Sequence, residues 1–231
     1  MELLGHDADQ VRVGALHALV GLARSTPSYT QTVVDVLCSY LRRPYFHHAY
    51  ARVGHDPDRN DYAEPGRGRL TEEEAADDRE RQVRLTAQRV LLDLLPAVSD
   101  SAAAVYDLDV TGASLEYFDL RTRRIGEVIA RRATFYGITR LGHAVFDGKA
   151  MFTGALFRGR LELCGCRFAA GLSLQDAQFD GPVDLRSARF AGFADLRWKQ
   201  PSTVELDSAV GDERVELKVN AGISIPRSPP R

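Results

Sequence analysis

The most regular pattern in the 231-residue chain is a series of large apolar residues spaced eleven positions apart. Phenylalanine recurs at this spacing without a miss, at Phe135, Phe146, Phe157, Phe168, Phe179 and Phe190. A second series with the same period runs between them, at Leu141, Phe152, Leu163, Leu174, Leu185 and Leu196. A fixed internal period indicates one repeated structural unit, and it outweighs local propensity in predicting the fold.

The apolar positions are therefore alternately six and five residues apart, which fits neither the 3.6-residue period of a helix nor the strict alternation of a long strand. Short strands joined by sharp corners do fit, with each large residue and the residue two before it pointing inward. The residues between them point outward and are largely polar: Thr134, Arg167, Gln178 and Arg189. Glycine follows most of the phenylalanines by two positions, and we expect it to adopt corner backbone angles that a β-carbon would disfavour.

Upstream the pattern continues with a period of five from Val110 to Phe135, which makes seventeen inward stations up to Leu196. The consensus resembles the pentapeptide-repeat family, in its eleven-residue Phe-x-Gly-x-Ala-x-Phe variant. The resemblance implies a right-handed quadrilateral β-helix of about four coils over residues 106–199, filled by the two apolar series. With rungs ~4.8 Å apart, the rod would be about 20 Å long.

Before the repeats, helical periodicity predicts three amphipathic helices, over 8–25, over 30–41 and from Thr71 to Pro96. The third opens with the spacing of a capping box, Thr71 and Glu74. The helices resemble HEAT-type helices, and the first also resembles the helical segment that precedes the repeats in actinobacterial members of the family. We predict an α+β fold in which an α-helical domain, residues 1–97, covers the first coil, because an uncovered β-helix end exposes unpaired backbone.

A segment without apolar periodicity, residues 43–69, separates the second and third helices. It holds several potential metal ligands, namely His47, His48, His55, Asp56, Asp58 and Asp61. Because no regular element fixes their spacing, a solvated loop is favoured over a metal site, and we predict neither a metal nor a cofactor. Past Trp198 the period stops, and residues 200–231 are predicted as capping strands followed by a disordered tail from Ile225.

The two parts of the chain differ in net charge. Residues 106–199 carry eleven acidic and fourteen basic side chains, whereas the first 105 residues carry sixteen and twelve. The resemblance implies, as one alternative function, mimicry of duplex DNA in binding DNA gyrase. That activity relies on a strongly acidic rod, so the slightly basic rod disfavours it.

Localisation is predicted from the absence of two signals. No apolar run approaches the length of a spanning helix, and the start of the chain lacks the layout of a signal peptide. We predict a cytoplasmic protein whose cysteines, Cys38, Cys164 and Cys166, are free thiols. Membrane association is the alternative if an N-terminal anchor is missing from this chain.

For function, the sequence shows no nucleophile motif, phosphate-binding loop or metalloprotease motif, and a narrow filled rod has no internal pocket. We predict that the chain is not an enzyme but a scaffold or protein-interaction module whose partner is unidentified. The outward apolar residues Val145, Met151 and Leu156 are the candidate surface. The alternative, nucleic-acid binding, is disfavoured and would use four arginines of the first coil: Arg121, Arg124, Arg131 and Arg132. A homodimer remains open.

Overall fold

A layer of helices precedes a four-sided β-helix in the computed structural model of this chain. The structure describes residues 2–47, 50, 71–199, 203–212, 215–220 and 223–226. The predicted loop residues His48, His55, Asp56, Asp58 and Asp61 therefore lie outside the described residues, as does the predicted tail from residue 227 onward.

The three predicted helices are present: α1 (Asp9–Ser25), α2 (Thr30–Leu41) and α3 (Glu72–Leu94), with 3₁₀ turns at Glu2–Gly5 and Pro27–Tyr29. The predicted capping box opens α3, since the Thr71 Oγ1 accepts the Glu74 amide and the Glu74 carboxylate accepts the Thr71 amide. The apolar faces of the three helices pack together around Leu16, Leu37 and Leu91, each of which is fully buried. None of the described helices is long and apolar enough to cross a membrane.

The rest of the described chain forms four parallel sheets, which the chain visits in a fixed order in every turn and which we call faces 1 to 4. Face 1 contains β1 (Leu108–Asp109), β4 (Val128–Ile129), β8 (Lys149–Met151), β12 (Gly171–Ser173), β16 (Phe193–Leu196) and β19 (Leu217–Val219). Face 2 contains β2 (Ser114–Glu116), β5 (Thr134–Tyr136), β9 (Leu156–Phe157) and β13 (Gln178–Phe179).

Face 3 contains β6 (Thr139–Arg140), β10 (Leu161–Glu162), β14 (Val183–Asp184) and β17 (Val204–Glu205). Face 4 contains β3 (Arg124–Ile125), β7 (Val145–Phe146), β11 (Arg167–Phe168), β15 (Arg189–Phe190) and β18 (Val210–Gly211). Strands β17, β18 and β19 follow residue 199 and continue three of the four faces in register. The β-helix therefore makes about five turns, close to the predicted number of about four coils.

The eleven-residue period of the sequence corresponds to half a turn of the β-helix. Phe135 is in register with Phe157 on face 2, and Phe146 with Phe168 on face 4. The phenylalanine series therefore splits into two columns of stacked rings on opposite faces. Ring centroids in these columns are 4.7 to 5.4 Å apart. All twelve residues of the two series are buried, none more than 5% exposed.

We predicted that the corner glycines adopt backbone angles that a β-carbon disfavours, and this is wrong at most of them. A β-carbon on Gly159 would lie 2.4 Å from the Gly137 carbonyl oxygen, and one on Gly192 would lie 2.0 Å from that of Ala170, although neither glycine has a positive φ. Glycine is needed here because successive coils approach too closely for a side chain. Positive φ values occur mainly at the corners between faces 1 and 2 and between faces 3 and 4, often at residues with side chains, such as His143.

The helices cover the first coil of the β-helix. Gln31 of α2 exchanges hydrogen bonds with the backbone of Asp107, accepting at 2.9 Å and donating at 3.0 Å. Arg123, two residues before the buried Ile125, donates to the Leu95 carbonyl at 3.0 Å just after α3. The first coil is thus joined to the helical layer by polar contacts.

Candidate interaction surface

The outer side of face 3 carries an acidic column whose charge is compensated. Glu162, Asp184 and Glu205 lie in register on adjacent strands, an arrangement of like charges that alone would be unfavourable. Arg160 lies within 3.4 Å of both Asp184 and Glu205, and Arg186 contacts the same two carboxylates at 2.7 and 3.2 Å. The column is therefore a structural ion-pair network.

A repeated Asp-Leu-Arg sequence supplies one of these pairs and two similar pairs elsewhere on the β-helix. It occurs at 119–121, 184–186 and 195–197, with the leucine inside the β-helix. In each copy the aspartate accepts at least two side-chain hydrogen bonds from the arginine two residues later, as in Asp184 with Arg186 at 2.9 and 2.7 Å. These hydrogen bonds hold the pKa of Asp184 and of Asp195 below its ordinary range, although burial opposes the shift.

Face 4 differs from face 3. Its central outward column reads Arg124, Val145, Arg167, Arg189 and Val210 on five successive strands. Arg167 and Arg189 are exposed and directly in register, and no carboxylate of the described residues forms an ion pair with either. Among the described residues, face 4 therefore presents two adjacent guanidinium groups that no carboxylate pairs with.

The next outward column of face 4 has small side chains at its centre and acidic ones at its ends. It reads Asp147, Ala169, Ala191 and Asp212. The Asp147 carboxylate is engaged, since Arg124 donates to it at 2.8 Å. The alanines leave the flank of the two arginines open to a partner's approach.

The apolar residues predicted as one surface do not lie together. Val145 is on face 4, Met151 on face 1 and Leu156 on face 2, and each is only partly exposed. The reason is geometric: residues five or six apart occupy successive faces, so outward residues at that spacing diverge. Only Val145 adjoins the exposed arginines.

The first-coil arginines are also divided. Arg121 forms a salt bridge with Asp119 at 2.6 Å, and Arg124 donates to Asp147 and to the Ser101 carbonyl. Arg131 and Arg132 are exposed at the corner between faces 1 and 2. The structure therefore does not bring the four arginines into one cationic patch.

A buried glutamate joins the helices to face 2. The Glu116 carboxylate, 2% exposed, accepts two bonds of 2.7 Å from the Arg81 guanidinium of α3. The Gln88 side chain accepts the Glu116 amide at 3.1 Å, and the Tyr50 hydroxyl donates to the Glu116 carboxylate. A charge this deeply buried requires such partners, so the site is a structural junction. Sequence reasoning missed it, because the contacts join residues far apart in the chain.

The described start of segment 43–69 is not the solvated loop that was predicted. His47 is 2% exposed and its Nε2 lies 2.7 Å from an oxygen of Asp78, while Tyr50 is 8% exposed and stacks on Tyr136. Burial beside Glu116 raises the pKa of Tyr50. His47 and Tyr50 therefore pack against two different elements, α3 and face 2.

Two surface grooves are shallow and mixed in charge. One, of about 580 Å³, lies between α3 and the corner of faces 3 and 4, and it is lined by Arg89 and Asp93 of α3 and by Asp119, Arg121 and His143 of the β-helix. The other, of about 230 Å³, crosses the outer side of face 1. In the part of the chain that the structure describes, no group of three or more His, Cys, Asp or Glu side chains is placed to hold a metal ion.

Comparison with known proteins agrees with this geometry. Residues 130–178 match the family model described as pentapeptide repeats (9 copies). The matched segment is the regular centre of the β-helix, and strands on either side continue its register. No curated protein and no solved structure matches the chain.

Proposed function

The chain is a pentapeptide-repeat protein, and we propose that it works as a non-catalytic interaction module whose rigid β-helix presents its outer faces to a protein partner. The observation that carries the proposal is the filled interior. The inward residues of both series are at most 5% exposed, and the phenylalanine rings stack from coil to coil. A ligand cannot enter such a core, so recognition has to use the outside.

The fixed register of the strands makes the outer faces suitable for recognising a partner. Side chains on neighbouring rungs are held ~4.8 Å apart, which fixes the spacing of the groups that a partner meets. A surface preorganised in this way loses little conformational entropy on binding. We place the module in the cytoplasm, where the three free cysteines would remain reduced.

The alternatives find less support. Eleven acidic against fourteen basic residues over 106–199 do not resemble the charge of duplex DNA, which a gyrase-binding mimic has to reproduce. Nucleic-acid binding through the first coil would require Arg121 and Arg124 to leave their salt bridges with Asp119 and Asp147.

The proposal is tested by cross-linking with the full chain as bait in lysate of the source cells. Photoreactive groups are placed on outward positions of each face and of α1 and α2, and captured proteins are identified by mass spectrometry. We expect a reproducible partner cross-linked to the β-helix. Cross-links confined to α1 and α2, or no reproducible partner, would overturn the proposal.

A further inference from the structure

We propose that face 4 binds an acidic α-helical segment of a protein partner through the column Val145, Arg167, Arg189 and Val210, here called the arginine column. This inference deepens the proposed function and rests on it.

The charge of face 4 favours an acidic ligand. Arg167 and Arg189 are in register on adjacent strands, and like charges in this position destabilise a sheet. Elsewhere on the β-helix in-register charges are compensated: Asp195 faces Lys218 on face 1, and the acidic column of face 3 is bridged by Arg160 and Arg186. A ligand that supplies carboxylates would relieve the repulsion that face 4 leaves in place.

The spacing of the two arginines matches the spacing of carboxylates on a helix. Carboxylates three or four residues apart on a helix have β-carbons about 5–6 Å apart. Rungs of the β-helix are ~4.8 Å apart, so a helix lying along the rod axis can place one carboxylate opposite each arginine. Each guanidinium presents a planar fork that binds a carboxylate bidentately, which favours this anion over a diffuse negative surface.

An apolar residue flanks the two arginines on each side, and Arg124, which is held by Asp147, lies in register beyond Val145. Val145 and Val210 lie one rung beyond the arginines and are partly exposed. The four rungs span about 14 Å, the length of about ten helical residues. The matching partner helix therefore carries apolar, acidic, acidic and apolar residues in that order, at spacings of three or four.

The surroundings favour a helix over a nucleic acid. Ala169 and Ala191 flank the arginines and allow close approach, whereas Asp212 would repel a phosphate backbone running along the axis. Two arginines are fewer cations than the six to ten phosphate contacts of a typical nucleic-acid interface. Among the described outward residues of face 4 there is also no aromatic ring for base stacking.

The test measures binding of a fluorescent helical peptide to the full chain by polarisation. The peptide carries Leu, Glu, Glu and Leu at positions i, i+4, i+7 and i+11 in an alanine–glutamine background. We expect saturable binding that weakens about tenfold when both Glu are replaced by Gln, or when the protein carries R167E and R189E together. A Glu-to-Lys peptide should restore binding to that variant.

The matched control is the double variant R131E/R132E, which makes the same charge change at the corner between faces 1 and 2. It should bind the acidic peptide within about twofold of the unchanged protein. Circular dichroism melts check that all variants fold. Equal loss in both double variants, or equal affinity for the Gln peptide, would overturn the proposal. So would a duplex or single-stranded DNA probe that outbinds the peptide at Arg167 and Arg189.

The two proposals fail separately. A captured protein partner that R167E/R189E still binds as tightly would overturn the arginine column and leave the interaction module standing. Absence of any partner that cross-links to the β-helix would overturn the module itself.

Discussion

Tyr50 lies flat against Tyr136, with ring centroids 3.7 Å apart and planes 10° from parallel. Tyr136 belongs to the second coil of face 2, whereas Tyr50 belongs to the segment between α2 and α3. Since the Tyr50 hydroxyl also donates to the buried Glu116, one side chain links the helical layer to two strands of the β-helix.

Removal of Tyr50 should loosen this junction. Tyr50→Phe keeps the stacked ring and loses one hydrogen bond to a buried carboxylate, which should cost about 1–3 kcal/mol of unfolding free energy. Tyr50→Ala also loses the buried ring and should cost about 3–5 kcal/mol. Urea unfolding measures both. Tyr29→Ala is the control, since that ring is 52% exposed. Equal costs at positions 29 and 50 would contradict the packing described above.

Glycine substitutions should separate coil stacking from backbone strain. Gly159→Ala should destabilise the β-helix by about 1–3 kcal/mol, because its β-carbon would meet the Gly137 carbonyl oxygen and force the coils apart. Gly14→Ala, in α1 with open space around it, should instead stabilise by about 0.5–1 kcal/mol. The measurement is the thermal midpoint of each variant, and a stabilised Gly159→Ala would refute the stacking explanation.

The phenylalanine column of face 2 should be the most sensitive part of the core. Phe157 stacks on Phe135 and Phe179 at 4.7 and 5.2 Å and is fully buried, so Phe157→Ala should cost about 3–5 kcal/mol. Phe46→Ala is the control, because that ring is 59% exposed, and it should cost less than about 1 kcal/mol. Chemical denaturation followed by circular dichroism gives both values. A small loss at Phe157 would mean that the rod tolerates a cavity.

Acid should weaken the β-helix through its Asp-Leu-Arg pairs. The pKa of Asp184 is lowered by hydrogen bonds from Arg186, so its contribution is present above the unfolded-state pKa of about 3.9 and is lost as the pH falls through the lower folded-state value. The thermal midpoint should therefore hold from pH 7 to about pH 5 and then fall.

The variant Asp184→Asn should lower the midpoint at pH 7 and flatten its decline in acid. Asp93→Asn is the matched control, since Asp93 is exposed and forms no ion pair with another described residue. If the decline in acid is as steep in Asp184→Asn as in the unchanged protein, this aspartate does not contribute to it.

Charge reversal on face 4 should raise stability. Arg167→Glu replaces an in-register pair of like charges with an attractive pair to Arg189, which should stabilise by about 0.2–1 kcal/mol. The gain should shrink at high salt, because exposed charges are screened. Thermal melts at low and high salt test this, with Arg131→Glu as the control for net charge. A destabilised Arg167→Glu would show that the arginine has a structural role.

The architecture was readable from the chain because repetition amplifies a weak local signal. One Phe-x-Gly unit says little, but six units at a constant spacing leave few folds that could bury them all. The helix bounds and the Thr71 capping box were also readable, since they depend on residues within a few positions of each other. The division of charge between the two parts followed from counting alone.

What periodicity could not supply was the position of each outward side chain around the rod. Val145, Met151 and Leu156 are close in sequence yet lie on three faces, while Arg167 and Arg189 are 22 positions apart and lie side by side. The Glu116 junction was hidden for the same reason, since Arg81 and Tyr50 reach it from distant parts of the chain. Burial of apolar residues is repeated along the chain and is visible in it, whereas surface adjacency exists only once the coils have stacked.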